Sequence, residues 1–231
     1  GLLMVPSSLR PSLLAMLPQE EIESAHRAAA SFLEGLAEAG RSLEIALSRL
    51  DVLLEARGHY MAAGAWESAT ATTGRISSYL RRRGHYAEII RLNRELLDLN
   101  TSTPKQAGTA VWIGQAYLDQ EDCKKAEKWY ERALQFSPEP ACYLGLGLSL
   151  MHQEKFDLAR SNLQKAYDAY SEGSDLSGQM EALSSLAAID MKTGEIEAAL
   201  KKMEKVAGIM GQLGDLPGEA QALQETARLD M

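Results

Sequence analysis

The stretch from Ala107 to Pro140 constrains the fold of this chain more than any other. Small, aromatic and helix-ending residues stand at fixed places in it: Gly114 is eighth, Tyr117 eleventh, Ala126 twentieth, Tyr130 twenty-fourth, Ala133 twenty-seventh and Pro138 thirty-second. The small residues let two helices approach closely, and the tyrosines fill the space between them. The proline ends the second helix because it cannot continue the helical hydrogen-bond pattern. The stretch therefore predicts one closely packed pair of helices.

The same spacing recurs downstream. Counted from Pro140, the matching residues are Tyr143 at four, Leu146 at seven, Gly147 at eight, Ala159 at twenty and Ala166 at twenty-seven. Counted from Met180, they are Leu183 at four, Leu186 at seven, Gly194 at fifteen and Ala199 at twenty. The segment 175–191, DLSGQMEALSSLAAIDM, also reappears in altered form over 215–231, as DLPGEAQALQETARLDM. We therefore expect several successive units, of which the last is incomplete.

This pattern resembles the tetratricopeptide repeat (TPR), a helix–turn–helix unit of about 34 residues. The resemblance implies an all-α fold, an antiparallel helix-pair solenoid wound as a right-handed superhelix. We predict an N-terminal tail or the end of a preceding domain over residues 1–17, a degenerate TPR-like array over 18–104, and TPR repeats over 105–231. Helical periodicity and the glycines Gly40, Gly64 and Gly84 predict four helices in the first array, over 18–39, 42–63, 66–83 and 86–99.

The first array also resembles a more particular family, the signal-transduction ATPases with numerous domains (STAND proteins). The resemblance rests on LPQEE at 17–21, HRAA at 26–29 and YMAAGAWESA at 60–69. It implies that the chain is the C-terminal sensor region of such a protein. The ATPase itself would lie elsewhere, because the chain contains no GxxxxGK[ST] phosphate-binding segment. Gly1 in the place of an initiating methionine also favours a piece of a longer protein.

The composition of the chain limits the kinds of partner that it can be expected to bind. The 231 residues include 24 Lys and Arg against 32 Asp and Glu, a net charge of −8, which disfavours nucleic acid as the main partner. No apolar run reaches the roughly 18 residues of a membrane span, so no membrane partner is expected. Cys123 and Cys142 are the two cysteines. We expect free thiols rather than a disulfide, and therefore a cytoplasmic, reducing compartment.

Catalytic and metal-binding patterns are not found in the sequence. The four histidines are His26, His59, His85 and His152, and none belongs to an HExxH segment or a paired spacing. Two cysteines are too few for a structural zinc site unless histidines from distant repeats converge. No G-x-S-x-G segment appears, and the many carboxylates fall mostly on polar helix faces. We expect no catalytic residue, no cofactor, no metal site and no enzymatic activity.

Partner-binding residues follow from the TPR resemblance, in which first helices line a concave groove. The positions that face it by resemblance give eight candidates: Val111, Gln115, Leu118, Leu144, Leu148, Met151, His152 and Met191. The surface is apolar in its middle and weakly polar at its ends. Arg81 and Arg82, in the basic run that continues to Arg83, are further candidates for an acidic partner or a phosphate. The alternative for this run is a positive helix end matched to the helix dipole.

Two functions remain open at this stage. The first is a non-enzymatic protein–protein interaction scaffold that binds a peptide or partner helix in the groove, as part of a larger signalling protein. The second is a small-molecule sensor, for an inducer or oligosaccharide, in a regulatory STAND ATPase or transcription activator. An apolar lining favours the first. The incomplete last repeat predicts either weak self-association through the apolar residues Leu223, Ala227 and Leu229 or a chain that continues in the parent protein.

Overall fold

The computed structural model of this chain describes residues 18–38, 49–99 and 103–214. The predicted tail over 1–17, and the incomplete repeat whose helix was expected to self-associate, lie outside the described residues. Within the described ranges the chain forms ten helices and no strand. The helices are α1 (Gln19–Glu38), α2 (Arg49–Ala62), α3 (Trp66–Arg81), α4 (Tyr86–Leu99), α5 (Thr103–Leu118), α6 (Cys123–Phe136), α7 (Pro140–His152), α8 (Phe156–Glu172), α9 (Leu176–Thr193) and α10 (Ile196–Gln212).

The predicted all-α fold class is confirmed. Helix α4 has the predicted bounds, whereas α3 ends at Arg81, two residues before the predicted end. The cause is a turn that the periodicity did not show: Gly84 has φ of +73°, and the N–H of His85 returns to the carbonyl of Leu80. Cys123 is the first residue of α6, and Cys142 lies inside α7.

One turn geometry joins most of these helices. A residue with φ between 56° and 83° follows the helix, and it is a glycine at Gly64, Gly84 and Gly194 and another residue at Glu121, Glu154 and Ser174. In all six turns the next N–H donates to the carbonyl five residues earlier, at 2.7–3.1 Å. This is the Schellman arrangement, which satisfies carbonyls that the end of a helix leaves without intrahelical partners. Each turn is therefore stabilised by its own local hydrogen bond.

The chain divides by its internal contacts between Leu92 and Asn93, inside α4. In the first unit, α2 contacts both α1 and α3. In the second unit, each of the helices α5 to α10 contacts the next one along the chain. The boundary at 104/105 that the sequence suggested stays a prediction.

The second unit is organised around the ring of Tyr130. This side chain is 1% exposed and lies between two glycines of different helices. A Cβ on Gly114 in α5 would lie 3.0 Å from the ring carbon Cζ, and one on Gly145 in α7 would lie 2.1 Å from Cε1. The next pair repeats part of this arrangement, since a Cβ on Gly147 would lie 2.6 Å from Cγ of Leu163. In both α6 and α8, a large side chain thus packs against backbone that only glycine leaves uncovered.

Ala133 lies where the next helix pair docks. It is fully buried in a small cluster with Ala107 and Ala110 of α5 and Cys142 of α7. The larger cluster continues from Ala126 through Leu163 to Ile189. The core of the second unit therefore runs continuously across its successive helix pairs.

Candidate functional site

Each repeat of the second unit has a first helix (α5, α7 or α9) and a second helix (α6, α8 or α10). The first helices lie beside one another. Besides its contacts with neighbours in sequence, α7 contacts α5 on one side and α9 on the other. Among the described residues, the second helices α6, α8 and α10 make no comparable contact with one another. First helices that are closer together than second helices give a surface its concave side. The eight candidates on α5, α7 and α9 therefore share one layer, which we call the first-helix face.

The apolar candidates form the floor of this face rather than freely exposed side chains. Val111, Leu118, Leu148 and Met151 are half-buried, and all four pack against the main core cluster. Leu144 is 7% exposed and belongs to that cluster. The floor is therefore anchored from below and partly open above, with Leu144 offering the least surface.

The polar candidate Gln115 is held in a fixed position. Its amide nitrogen donates to Oδ1 of Asp119 at 2.8 Å, and its amide oxygen accepts from the hydroxyl of Tyr130 at 3.2 Å. The side chain is half-buried. Because both ends of the amide are engaged, Gln115 connects the first-helix face directly to the ring at the centre of the core.

The last two candidates lie at the open edge of the face. His152 at the end of α7 is exposed, and Met191 near the end of α9 is 40% exposed. Lys192 follows Met191, and its Nζ lies 6.0 Å from the ring centroid of Phe156. An exposed methionine beside a cation gives this edge both apolar area and positive charge.

Arg81 and Arg82 belong to the first unit, and they differ in their surroundings. Arg82 lines a cavity of about 250 Å³ with five other residues, and Arg81 is not among them. The lining residues, which we call the arginine pocket, are Arg49, Leu53, Arg75, Ser78, Tyr79 and Arg82. Sequence reasoning found only Arg82, although Arg75, Ser78, Tyr79 and Arg82 have the 3-4-7 spacing of a single helix face.

Arg75 is fixed in this pocket by a polar network between three helices. Oε1 of Glu34 in α1 lies 3.1 Å from Nη1 of Arg75 and accepts the hydroxyl of Thr72 at 2.6 Å. Oε2 of the same carboxylate accepts the hydroxyl of Tyr60 at 3.0 Å. Burial, followed by the bond to Glu34, raises the pKa of Tyr60, so this hydroxyl remains a donor. The network holds the Arg75 guanidinium in place.

A second polar network is structural. Asp190 in α9 is completely buried, with Oδ1 2.6 Å from Nη1 of Arg160 and Oδ2 2.5 Å from Nζ of Lys202. Arg160 comes from α8, Lys202 from α10, and Arg160 also pairs with Glu195 at 2.8 Å. The bond to Glu195 first, and Asp190 after it, raise the pKa of Arg160. One carboxylate thus ties three consecutive helices together, a role that sequence reasoning missed.

Groups suited to catalysis or metal binding are sparse in the described part of the chain. No cluster of three His, Cys, Asp or Glu residues that could hold a metal occurs there. Both cysteines are free thiols. Burial raises the pKa of Cys142 to about 11, and burial also raises the pKa of the half-buried Cys123. Neither thiol is therefore an activated nucleophile at neutral pH.

The described helices also include none that is both long and apolar enough to cross a membrane.

Comparisons with solved structures agree with this architecture. The chain is similar to residues 41 to the end of MamA from Desulfovibrio magneticus RS-1, with a TM-score of 0.58 and 17% identity, over 84% of this chain and 98% of that one. It is also similar to BtubC from P. vanneervenii, with a TM-score of 0.56 and 12% identity, over 93% of this chain and 91% of that one.

A thermophilic TPR protein from Thermus thermophilus gives a TM-score of 0.55 and 15% identity, over 90% of this chain and 98% of that one. At these identities the likeness shows a TPR-like fold. No protein-family model and no curated protein sequence matches the chain.

Proposed function

We propose that this chain is a non-enzymatic protein-interaction scaffold that holds a peptide or a partner helix on its first-helix face. The observation that carries the proposal is the layer formed by α5, α7 and α9, with half-buried apolar side chains at its centre. Side chains anchored in the core below lose little conformational freedom on binding, so burying their exposed parts favours association. A surface of this kind suits apolar side chains of a partner segment.

The spacing within the face indicates how a partner segment would be recognised. Helix α7 presents Leu148 and Met151, three residues apart, with the buried Leu144 one turn before them. Helix α5 presents Val111, Gln115 and Leu118 at intervals of four and three residues. Gln115 supplies the central polar group, already oriented by Tyr130. Specificity for a partner would then come from the edge, where His152 and Met191 are exposed.

The test compares two exposed apolar residues on opposite sides of the helix pairs. Met191 is 40% exposed on the first-helix face, and Leu158 is 58% exposed on the second helix α8. Peptides are selected from a display library against the parent chain, and the affinity of each selected peptide is then measured for both variants. Met191→Glu should weaken binding about tenfold or more, because it places a charge where apolar area must be buried.

Leu158→Glu is the matched control, since it introduces the same charge without touching the face. It should leave the affinity unchanged. The opposite result would contradict the proposal: the peptides would bind Met191→Glu as tightly as the parent and lose affinity for Leu158→Glu. The partner site would then lie on the second helices.

The wider setting is a further part of this proposal. The segments at 17–21, 26–29 and 60–69 support a role as the sensor array of a larger signalling protein of the STAND type. The two free thiols support a reducing compartment such as the cytoplasm. Sequencing the parent gene tests the first point: a phosphate-binding loop upstream of residue 1 in the same frame is expected, and an unrelated upstream domain would contradict it.

A further inference from the structure

The arginine pocket lies at one end of the first unit, where α2 and α3 run side by side. Arg49 and Leu53 stand one turn apart on α2, and the other four lining residues occupy one face of α3. The ring of Tyr79 is fixed from outside by Arg83, whose guanidinium carbon lies 4.1 Å from the ring centroid. The pocket therefore has walls from two helices and one aromatic side held in place.

The charge of the pocket is strongly positive for a chain of net charge −8. Glu34 compensates Arg75, which it also orients. For Arg49 and Arg82, no carboxylate among the described residues lies within ion-pair distance. Two guanidiniums without such a partner, facing a cavity beside a third, repel one another unless an anion or solvent intervenes.

The dipole of α3 explains only part of this arrangement. A helix C-terminus favours cations within its last turn, which accounts for Arg81 and Arg82. The effect does not extend to Arg75, nearly two turns earlier, and it does not account for the approach of Arg49 from a different helix. Three arginines from two helices thus converge on one cavity, which is a chemical environment suited to an anion.

We propose that the arginine pocket binds a phosphoryl dianion. Guanidinium groups present donors in a planar fork that matches the oxygens of phosphate, and three of them suit a doubly charged group better than a single carboxylate. Ser78 adds a hydroxyl donor. The cavity of about 250 Å³ is smaller than the roughly 300–1,000 Å³ of sites for drug-sized ligands, so it fits a phosphoryl group with a short attachment.

The phosphoryl group could belong to a small phosphorylated metabolite or to a phosphorylated side chain of a protein. The chemistry of recognition is the same in both cases. The pocket lies in the first unit and the first-helix face in the second, so this proposal does not depend on the scaffold function, and either can fail alone.

The test is titration of the full chain at constant ionic strength, followed by calorimetry and by NMR of the arginine side chains. The probes are inorganic phosphate, glycerol phosphate, and a phosphoserine peptide with its unphosphorylated counterpart. We expect saturable binding that shifts the Nε–Hε signals of Arg49, Arg75 and Arg82. Tighter binding of the phosphopeptide than of inorganic phosphate identifies a protein source, and tighter binding of glycerol phosphate identifies a metabolite.

Arg49→Gln and Arg82→Gln should each weaken phosphate binding about tenfold or more, because each removes a charged hydrogen-bond donor. Arg82→Lys should recover only part of the affinity, because it keeps the charge and loses the fork. Arg91→Gln is the control: Arg91 is an exposed arginine of the same unit, paired with Glu88 at 2.5 Å and not part of the pocket.

Two results would overturn the proposal. The first is the absence of binding of any phosphorylated probe up to about 10 mM. The second is equal weakening by Arg91→Gln and Arg82→Gln, which would show that phosphate responds to overall charge and not to this pocket. Circular dichroism at matched concentration confirms beforehand that every variant keeps its helices.

Discussion

Replacing Gly145 with alanine should destabilise the second unit, although alanine favours helices. A Cβ at this position would lie 2.1 Å from Cε1 of Tyr130 and 2.2 Å from its Cζ, and real carbon contacts of this kind are longer than 3.0 Å. The ring would therefore have to move by about 1 Å or more. It cannot move easily, because Gly114 lies against it and its hydroxyl is bonded to Gln115.

The magnitude is the difference between two effects. Gly→Ala within a helix stabilises by about 0.8–1 kcal/mol. Overpacking a rigid core costs about 1–3 kcal/mol, and more where the backbone cannot yield. For Gly145→Ala the second effect should win: an overpacking cost of about 3 kcal/mol, less about 1 kcal/mol for the helix preference, leaves a net loss of about 2 kcal/mol. Gly108→Ala is the matched control, since Gly108 lies inside α5 with no atom within 4 Å of its ideal Cβ.

Urea unfolding followed by far-UV circular dichroism measures both variants. Gly108→Ala should raise the midpoint and Gly145→Ala should lower it. In a Tyr130→Leu background, where the ring is gone, Gly145→Ala should cost much less, which gives a coupling energy of about 2 kcal/mol between the two sites. If Gly145→Ala unfolds at the same urea concentration as Gly108→Ala, the packing of Tyr130 between two helices is not as described.

Two further outcomes are expected. Asp190→Asn should lower the free energy of unfolding, measured in urea, by about 3 kcal/mol, because it removes the buried charge that pairs with Arg160 and Lys202. A loss below about 1 kcal/mol would mean that water replaces the carboxylate as the partner of the two cations. Burial raises the pKa of Cys142 from 9.0 to about 11, so between these pH values the thiol is protonated in the folded state and ionised in the unfolded state. The free energy of unfolding should therefore fall by about 1.4 kcal/mol per pH unit over this range. Cys142→Ala should unfold with a shallower pH dependence over that range, and parallel curves would contradict the assignment.

The sequence predicted best those contacts that join residues close to one another along the chain. Gly114 and Tyr130 lie inside one repeat, and their packing follows from the repeat spacing. Gly145 was missed because its role depends on how the next pair docks, which no single repeat encodes. Asp190 stands at the eleventh position of the repeat counted from Met180, where the repeat counted from Ala107 has Tyr117 and the repeat counted from Pro140 has Leu150. The sequence alone predicts a surface position for this carboxylate, because its two cationic partners, Arg160 and Lys202, belong to neighbouring helices.

The arginine pocket shows the same limit in the first array. The basic run at its end was visible in the sequence, but Arg49 lies well before Arg82 in the chain and on a different helix. Without a clear repeat spacing, nothing in the sequence placed α2 against α3 in register. The eight residues of the first-helix face were placed by resemblance, and their role in binding stays a prediction.

The left-handed turns have a consequence for how such a chain can change its length. Ser174, Gly194 and Gly214 have positive φ at equal intervals along the sequence, and Gly64 and Gly84 show the same interval in the first unit. One interval holds one helix, so inserting or deleting a single interval would reverse the direction of every helix that follows. Two intervals restore it, and two intervals equal the offset between the segment 175–191 and its altered copy at 215–231. A gene that duplicates this segment from turn to turn adds a complete helix pair while leaving the end of the preceding helix unchanged.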